Sequence, residues 1–198
     1  MLQEDTAFHQ LLVYISQYVT LTEREIQLVF DKTNYRTYLK DQYIIQQGDI
    51  CKSACFIVSG CTKMFALDKE GQEHIIMFSI ENWWTSDLGS FISRLPSQYH
   101  VKCLEQTNLF EFTYEALEDL YQEVPKMERF FRKIIERAFV ASQKRIFDTF
   151  SLTATERYLS FRKTYPEIEQ RVPQYMIASY LGITKEFLSK IKSKYLQS

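Results

Sequence analysis

Between residues 184 and 194 the chain carries Thr184, Lys185, Glu186, Ser189, Lys190, Lys192 and Lys194. Ammonium groups, one carboxylate and short hydroxyls at this density suit hydrogen bonding to nucleic-acid base edges and charge contact with phosphates. Lys185 and Lys190 can donate to guanine O6 and N7, without the rigid fork of arginine. Glu186 can accept from a cytosine amino group. Lys192 and Lys194 lie further along and are assigned to phosphates, which position without specifying. Thr184 and the helix N-terminus can donate to a phosphate as well. The whole chain has a formal charge of −1. Yet from 171 to 198 its ionised groups are Arg171, Lys185, Lys190, Lys192 and Lys194 against the single acid Glu186. A local basic patch is the electrostatic footprint that phosphate contact requires.

Other chemistries find little support. No nucleophile elbow and no phosphate-cradling glycine loop occur, and the chain has only five glycines, so an enzyme is not expected. Cys51, Cys55, Cys61 and Cys103 form no C-x-x-C pair and fall in strand-and-turn segments, which reads as buried thiols. His9, His74 and His100 make no metal spacing. Neither a metal nor a cofactor is expected. No apolar run reaches the roughly 18 residues of a membrane span, and no secretory signal opens the chain. The expectation is a cytoplasmic protein with no membrane partner.

The candidate reading residues need a rigid support, and the residues before them specify one. With Gln174 as the first position, Ala178 stands fifth, where two crossing helices leave no room for a larger side chain. Gly182 stands ninth, where a tight turn needs a left-handed backbone. Thr184 is placed to N-cap the next helix, and Pro173 suits the first turn of the one before. Ile177, Leu181, Ile183, Leu188 and Ile191 take the positions that pack between them. This pattern predicts a helix-turn-helix, whose second helix enters a DNA major groove. Only Lys192 to Ser198 follow Ile191, so no full wing is expected after it.

Upstream, residues 4–34 show helical spacing, with Thr22 and Glu25 as a capping box. Residues 35–112 alternate in short runs broken by Gly48, Gly60 and Gly71, which predicts a small antiparallel roll. Helical spacing returns at Tyr114 to Tyr121. A long helix then runs from Pro125 to Phe150, with an apolar stripe wider than one small roll needs; it is read as core and dimer seam together. Thr153-Ala-Thr-Glu156 caps a helix over about 154–164, and Glu167 to Arg171 is read as a connection. The expected class is α+β, with residues 1–150 as a roll with its long helix and 151–198 as the helix-turn-helix domain.

This order resembles the cyclic-AMP receptor protein / fumarate–nitrate regulator superfamily of bacterial transcription factors. The resemblance covers essentially the whole chain. It is carried by Gln47-Gly48-Asp49, Phe56-Ile-Val-Ser-Gly60, Asp68-Lys-Glu-Gly71-Gln-Glu73 and the stretch from Val172 to Ile191. It implies a cyclic-nucleotide-binding-like roll, a homodimer paired through the long helix, and double-stranded DNA as partner. It leaves room for RNA polymerase and an unidentified small-molecule effector among the partners. The family's phosphate cassette begins Gly-Glu-Leu and continues to an Arg with a small hydroxyl residue after it. Here Ser86, Asp87 and Leu88 stand in the first three places and Ser97, followed by Gln98, in that of the Arg. Arg94 is the nearest cation and Trp84 a candidate wall. A cyclic phosphate buried without its cation loses a charge-assisted contact, so cyclic-AMP binding is not expected. The iron–sulfur sensors' N-terminal cysteine cluster is missing too, since no cysteine precedes residue 51. The competing reading is a ligand-binding or protein-interaction module whose helix-turn-helix no longer binds DNA.

Overall fold

A computed structural model describes residues 2–195. Two helices open the chain, α1 (Leu2–Ser16) and α2 (Glu23–Asp31). The capping box forms as expected: Glu25 N–H donates to Thr22 Oγ1 at 3.3 Å, and Thr22 N–H to Glu25 Oε2 at 2.7 Å. Eight strands follow: β1 (Asn34–Tyr38), β2 (Tyr43–Ile45), β3 (Ser53–Ser59), β4 (Thr62–Leu67), β5 (Glu73–Ser79), β6 (Trp84–Thr85), β7 (His100–Cys103) and β8 (Thr107–Thr113). A short helix, α3 (Leu88–Ser93), interrupts them after β6. All strand pairs are antiparallel, in two sheets ordered β1-β8-β3-β6 and β2-β7-β4-β5. The two-residue strand β6 lacks a readable alternation and was not expected from the sequence.

Period-2 alternation gives each sheet two distinct faces. On β3 and β8, Ala54, Phe56, Phe110 and Phe112 face the helices, where Phe8 meets Phe110 at 5.7 Å and Tyr14 meets Phe56 at 5.2 Å. The alternate residues Cys55, Ile57 and Leu109 are fully buried on the opposite side. There Thr62 Oγ1 on β4 lies 3.2 Å from Thr85 Oγ1 on β6, so the sheets meet face to face. Gly60 joins β3 to β4 with φ +112°, and a Cβ there would lie 2.6 Å from the Thr107 backbone. All four cysteines are buried. Burial pushes the Cys61 thiol up to about 12 and Cys55 well above its ordinary value, which makes both poor nucleophiles.

The chain then turns helical: α4 (Tyr114–Glu123), α5 (Pro125–Ser151), α6 (Ala154–Thr164), α7 (Pro166–Arg171), α8 (Gln174–Leu181) and α9 (Lys185–Tyr195). The first half of α5 packs Met127, Phe130 and Phe131 into the roll's helical side. Glu167 to Arg171, expected to be a connection, lie in α7 instead. Pro166 occupies its first turn, where a missing N–H costs nothing, and Glu167 and Glu169 sit at its positive end. A second apolar cluster joins Phe65, Ile75, Phe78 and Ile80 of the roll to Tyr158, Phe161, Met176 and Ile177. The C-terminal helices are therefore docked on the outer face of the β4–β5 sheet. No helix among the described residues is long and apolar enough to cross a membrane.

Candidate nucleic-acid interface

The turn between α8 and α9 forms through the residues that demanded it. Gly182 has φ 65° and ψ 38°, and its N–H and that of Ile183 close on Ser179 O at 3.1 Å and Ala178 O at 3.0 Å. Thr184 Oγ1 accepts the Phe187 N–H at 3.1 Å, capping α9. Ile177, Ala178, Leu181, Leu188 and Ile191 are all buried. Arg157 fastens the motif from behind, donating to Leu152 O at 2.9 Å and Leu181 O at 3.2 Å.

With Leu188 and Ile191 turned inward, the opposite side of α9 faces solvent. Thr184, Lys185, Glu186, Ser189, Lys190 and Lys194 are all exposed there. None of the charged members has an ion-pair partner among the described residues. Phe187 is also exposed on this helix, at 46%. Sequence reasoning missed it by looking only for polar readers.

Lys192 departs from its expected place. Its Nζ lies 3.1 Å from Glu169 Oε1 and 6.0 Å from the centre of the Tyr158 ring. Glu169 also accepts from the Tyr158 hydroxyl and faces Arg162 Nε at 3.3 Å. Burial disfavours the Glu169 carboxylate, but donation from Tyr158 and Lys192 outweighs it, so its pKa is lowered. Lys192 thus ties α9 to α6 and α7 instead of facing outward with Lys190. Arg171 likewise leaves the basic patch: it forks onto Glu81 at 2.6 and 3.1 Å and also meets Glu105.

The motif is anchored to a strand edge. β5 ends its sheet, so its outer N–H and C=O groups need partners. Ser179 of α8 supplies both: its hydroxyl donates to Glu73 O at 2.9 Å and accepts from Ile75 N at 3.0 Å. Arg145 of α5 donates to Ile76 O and to Tyr180 O, the latter at 3.3 Å, and lies 4.1 Å over the Tyr180 ring.

The cassette residues take other positions. Asp87 caps α3, with Oδ1 accepting Ser90 N–H at 3.1 Å and Oδ2 accepting Ser97 O–H at 2.7 Å. Asp87 is 6% and Ser97 3% exposed. Arg94 does not join them. It takes the left-handed conformation that ends α3, donates to Cys51 O at 3.3 Å and lies over the Tyr114 ring, 3.7 Å from Glu115. Trp84 is packed against Phe56, Phe112 and Phe131 and belongs to the core, not to a pocket wall. Its neighbour Trp83 points the other way, onto Tyr165 of the C-terminal helices. Ser86 is half-buried, and Leu88 and Gln98 are exposed. The structure joins Asp87 to Ser97 by a hydrogen bond, while Arg94 and Trp84 take their partners elsewhere.

From Ile135 onward, one side of α5 is uncovered. Ile135, Phe139, Val140, Ile146, Phe147 and Phe150 are exposed, Phe150 at 85%. Beside it an open groove of about 450 Å³ is lined by Tyr121, Phe131, Ile135 and Phe139 among others.

Comparison with known proteins agrees with this architecture. Residues 35–124 match the cyclic nucleotide-binding domain. The regulatory protein HlyX of Actinobacillus pleuropneumoniae is 26% identical over 194 residues, covering 90% of this chain and 79% of that protein. The transcriptional activator protein Anr of Pseudomonas protegens is 24% identical over 177 residues, covering 82% and 70%. Among solved structures, the c-di-GMP-responsive regulator CLP of Xanthomonas campestris superposes with a TM-score of 0.71 at 16% identity, covering 89% of this chain and 92% of that one. FixK2 of Bradyrhizobium japonicum gives 0.70 at 16% identity, covering 83% and 85%. With helix, roll, long helix and helix-turn-helix in the same order, the chain is similar to regulators of the cyclic-AMP receptor protein / fumarate–nitrate regulator superfamily.

Proposed function

We propose that the protein is a transcriptional regulator that binds double-stranded DNA as a homodimer, with a cassette that does not hold a cyclic nucleotide. One observation carries the DNA reading: α9 presents Lys185, Glu186, Ser189 and Lys190 to solvent on a buried, capped helix-turn-helix. An outward row of unpaired charges has no role in holding the fold, and it matches the donors and acceptors of a major groove. Lys194 and Thr184 fit phosphates at the two ends of the helix. Residues 1–150 act as the roll unit and 151–198 as the reading unit. RNA polymerase and an unidentified effector remain candidate partners of such a regulator.

The dimer rests on α5. Ile135, Phe139, Ile146 and Phe150 recur at helical spacing on one exposed side, and such a stripe is removed from water by pairing with a second copy. Two reading helices related by the dimer axis would meet half-sites roughly 34–36 Å apart. The closed cassette rests on Ser97, whose hydroxyl bonds Asp87 where a cyclic phosphate would need a cation.

The test is selection of bound sequences from random duplex DNA with purified protein, followed by binding at several salt concentrations. A near-palindromic consensus with steep salt dependence is expected. Recovery of no consensus and no salt-dependent binding would favour an interaction module over a regulator.

A further inference from the structure

Phe187 has no polar task and no ring partner among the described residues, yet its place is fixed. Its N–H is bonded to the Thr184 cap at 3.1 Å, in the first turn of α9, and its side chain is 46% exposed. It shares one line of the helix with Lys190 and Lys194, at i, i+3 and i+7. That line runs along the margin of the exposed face: Glu186 and Ser189 lie on its outer side, and Ile191, one turn after Phe187, lies on its inner side with Leu188 in the core. The first turn of a recognition helix lies closest to base edges. In a major groove lined with donors and acceptors, the one apolar group a base offers is the C5-methyl of thymine, and phenylalanine is among the side chains that meet it.

We propose that Phe187 is a specificity-determining residue that reads the C5-methyl group of a thymine in each half-site. This rests on the reading of α9 as a DNA-binding helix. Lys185, Glu186 and Lys190 then set the polar part of the code and Phe187 its apolar part. A thymine is selected by its methyl group rather than by its O4.

The experiment uses the full chain and its selected operator. Each thymine of a half-site is replaced singly by deoxyuridine, which keeps the pairing edge and lacks the methyl. One position should weaken binding by about fourfold, the factor for one methyl-sized group removed from water. Phe187→Ala should weaken the parent operator similarly and bind its thymine and deoxyuridine forms equally. Phe187→Leu should keep most of the difference. The proposal is overturned if no deoxyuridine substitution weakens the parent protein, or if Phe187→Ala keeps the same preference. It is overturned equally if Phe187→Ala weakens operator and scrambled duplex alike, as a sugar contact would. If the unmodified protein distinguishes no duplex from any other, the DNA reading itself fails, and that result is separate from the others.

Discussion

In the cassette, the Asp87 carboxylate directs one oxygen to the α3 backbone and the other to Ser97, and Arg94 is bonded to Cys51 O and stacked on Tyr114. On α9, the Glu186 carboxylate and the ammonium groups of Lys185 and Lys190 have no partner among the described residues. Similar groups thus reach opposite states. Buried polar atoms must be satisfied, and in the cassette Asp87 and Ser97 satisfy each other. Exposed charges are satisfied by water and can exchange it for a nucleic acid. The two regions therefore differ in what they leave free: under the proposed function the α9 charges are open to a partner and the Asp87 carboxylate is not.

The largest expected effect breaks the comparison by separating the two reading helices. Phe139→Glu with Phe150→Glu places charge on the bare side of α5, where both residues are exposed. Sedimentation equilibrium should then find monomers, and operator affinity should fall by about 100-fold or more, since paired half-sites bind through effective concentration. A monomer for the unmodified protein at tens of micromolar would end the dimer argument.

Next is the α9 face itself. Lys190→Ala should cost roughly 1–3 kcal/mol on the selected operator and little on a scrambled duplex. Equal losses on both would make Lys190 a phosphate contact. Lys194→Ala should instead lower the salt slope by about one per subunit, and Lys192→Ala should leave the slope unchanged. Lys192 is held by Glu169 at 3.1 Å, so its loss should appear in unfolding rather than in counterion release.

The cassette half of the comparison is probed by calorimetry and unfolding together. Cyclic AMP should give no dissociation constant below about 10 μM, or roughly −6.8 kcal/mol. Ser97→Ala leaves a buried carboxylate oxygen with one partner fewer. It should lower stability by about 1–3 kcal/mol and leave the operator affinity of the folded protein unaltered. An Ser97→Ala protein as stable as the parent would mean the Asp87–Ser97 bond does not close the cassette.

Local constraints made much of this legible in the sequence. Ala178, Gly182 and Thr184 answer to steric, dihedral and capping demands within a few residues, so the turn could be placed without the fold. The roll and the long helix followed from period. Pairings between distant segments could not be read this way. Ser179 reaches β5 across 104 residues and Arg171 reaches Glu81 across 90, and no spacing rule anticipates either. The phosphate role expected of Lys192 follows from its place beyond the reading residues, and no spacing rule pairs it with Glu169. Once 166–171 is a helix, its carboxylate is presented to α9. In the cassette, the departures at Ser86, Asp87 and Ser97 were visible, but not that Ser97 would bond Asp87.

The smallest effect concerns the acid limb of stability, where the anchored and the free charges of the C-terminal helices should part. Glu169 and Glu81 both have lowered pKa values. Burial opposes ionisation in each, and donation from Tyr158 and Lys192 in one and Arg171 in the other overcomes it. A group lowered in the folded state stabilises it above its unfolded pKa, about 4.3 for Glu, and loses that contribution as pH falls through the folded value. Stability should therefore be level in this respect above pH 5 and decline below about 4.3. Urea unfolding followed by Trp83, which stacks on Tyr165 at 5.5 Å, reports the docked C-terminal helices. Glu169→Gln should lower the neutral-pH midpoint and flatten the decline, because the group that titrates is gone. Glu186→Gln should leave the neutral-pH midpoint unchanged, since that carboxylate faces solvent. Parallel pH curves for the parent and Glu169→Gln would show that the Glu169–Lys192 contact does not hold α9 in place.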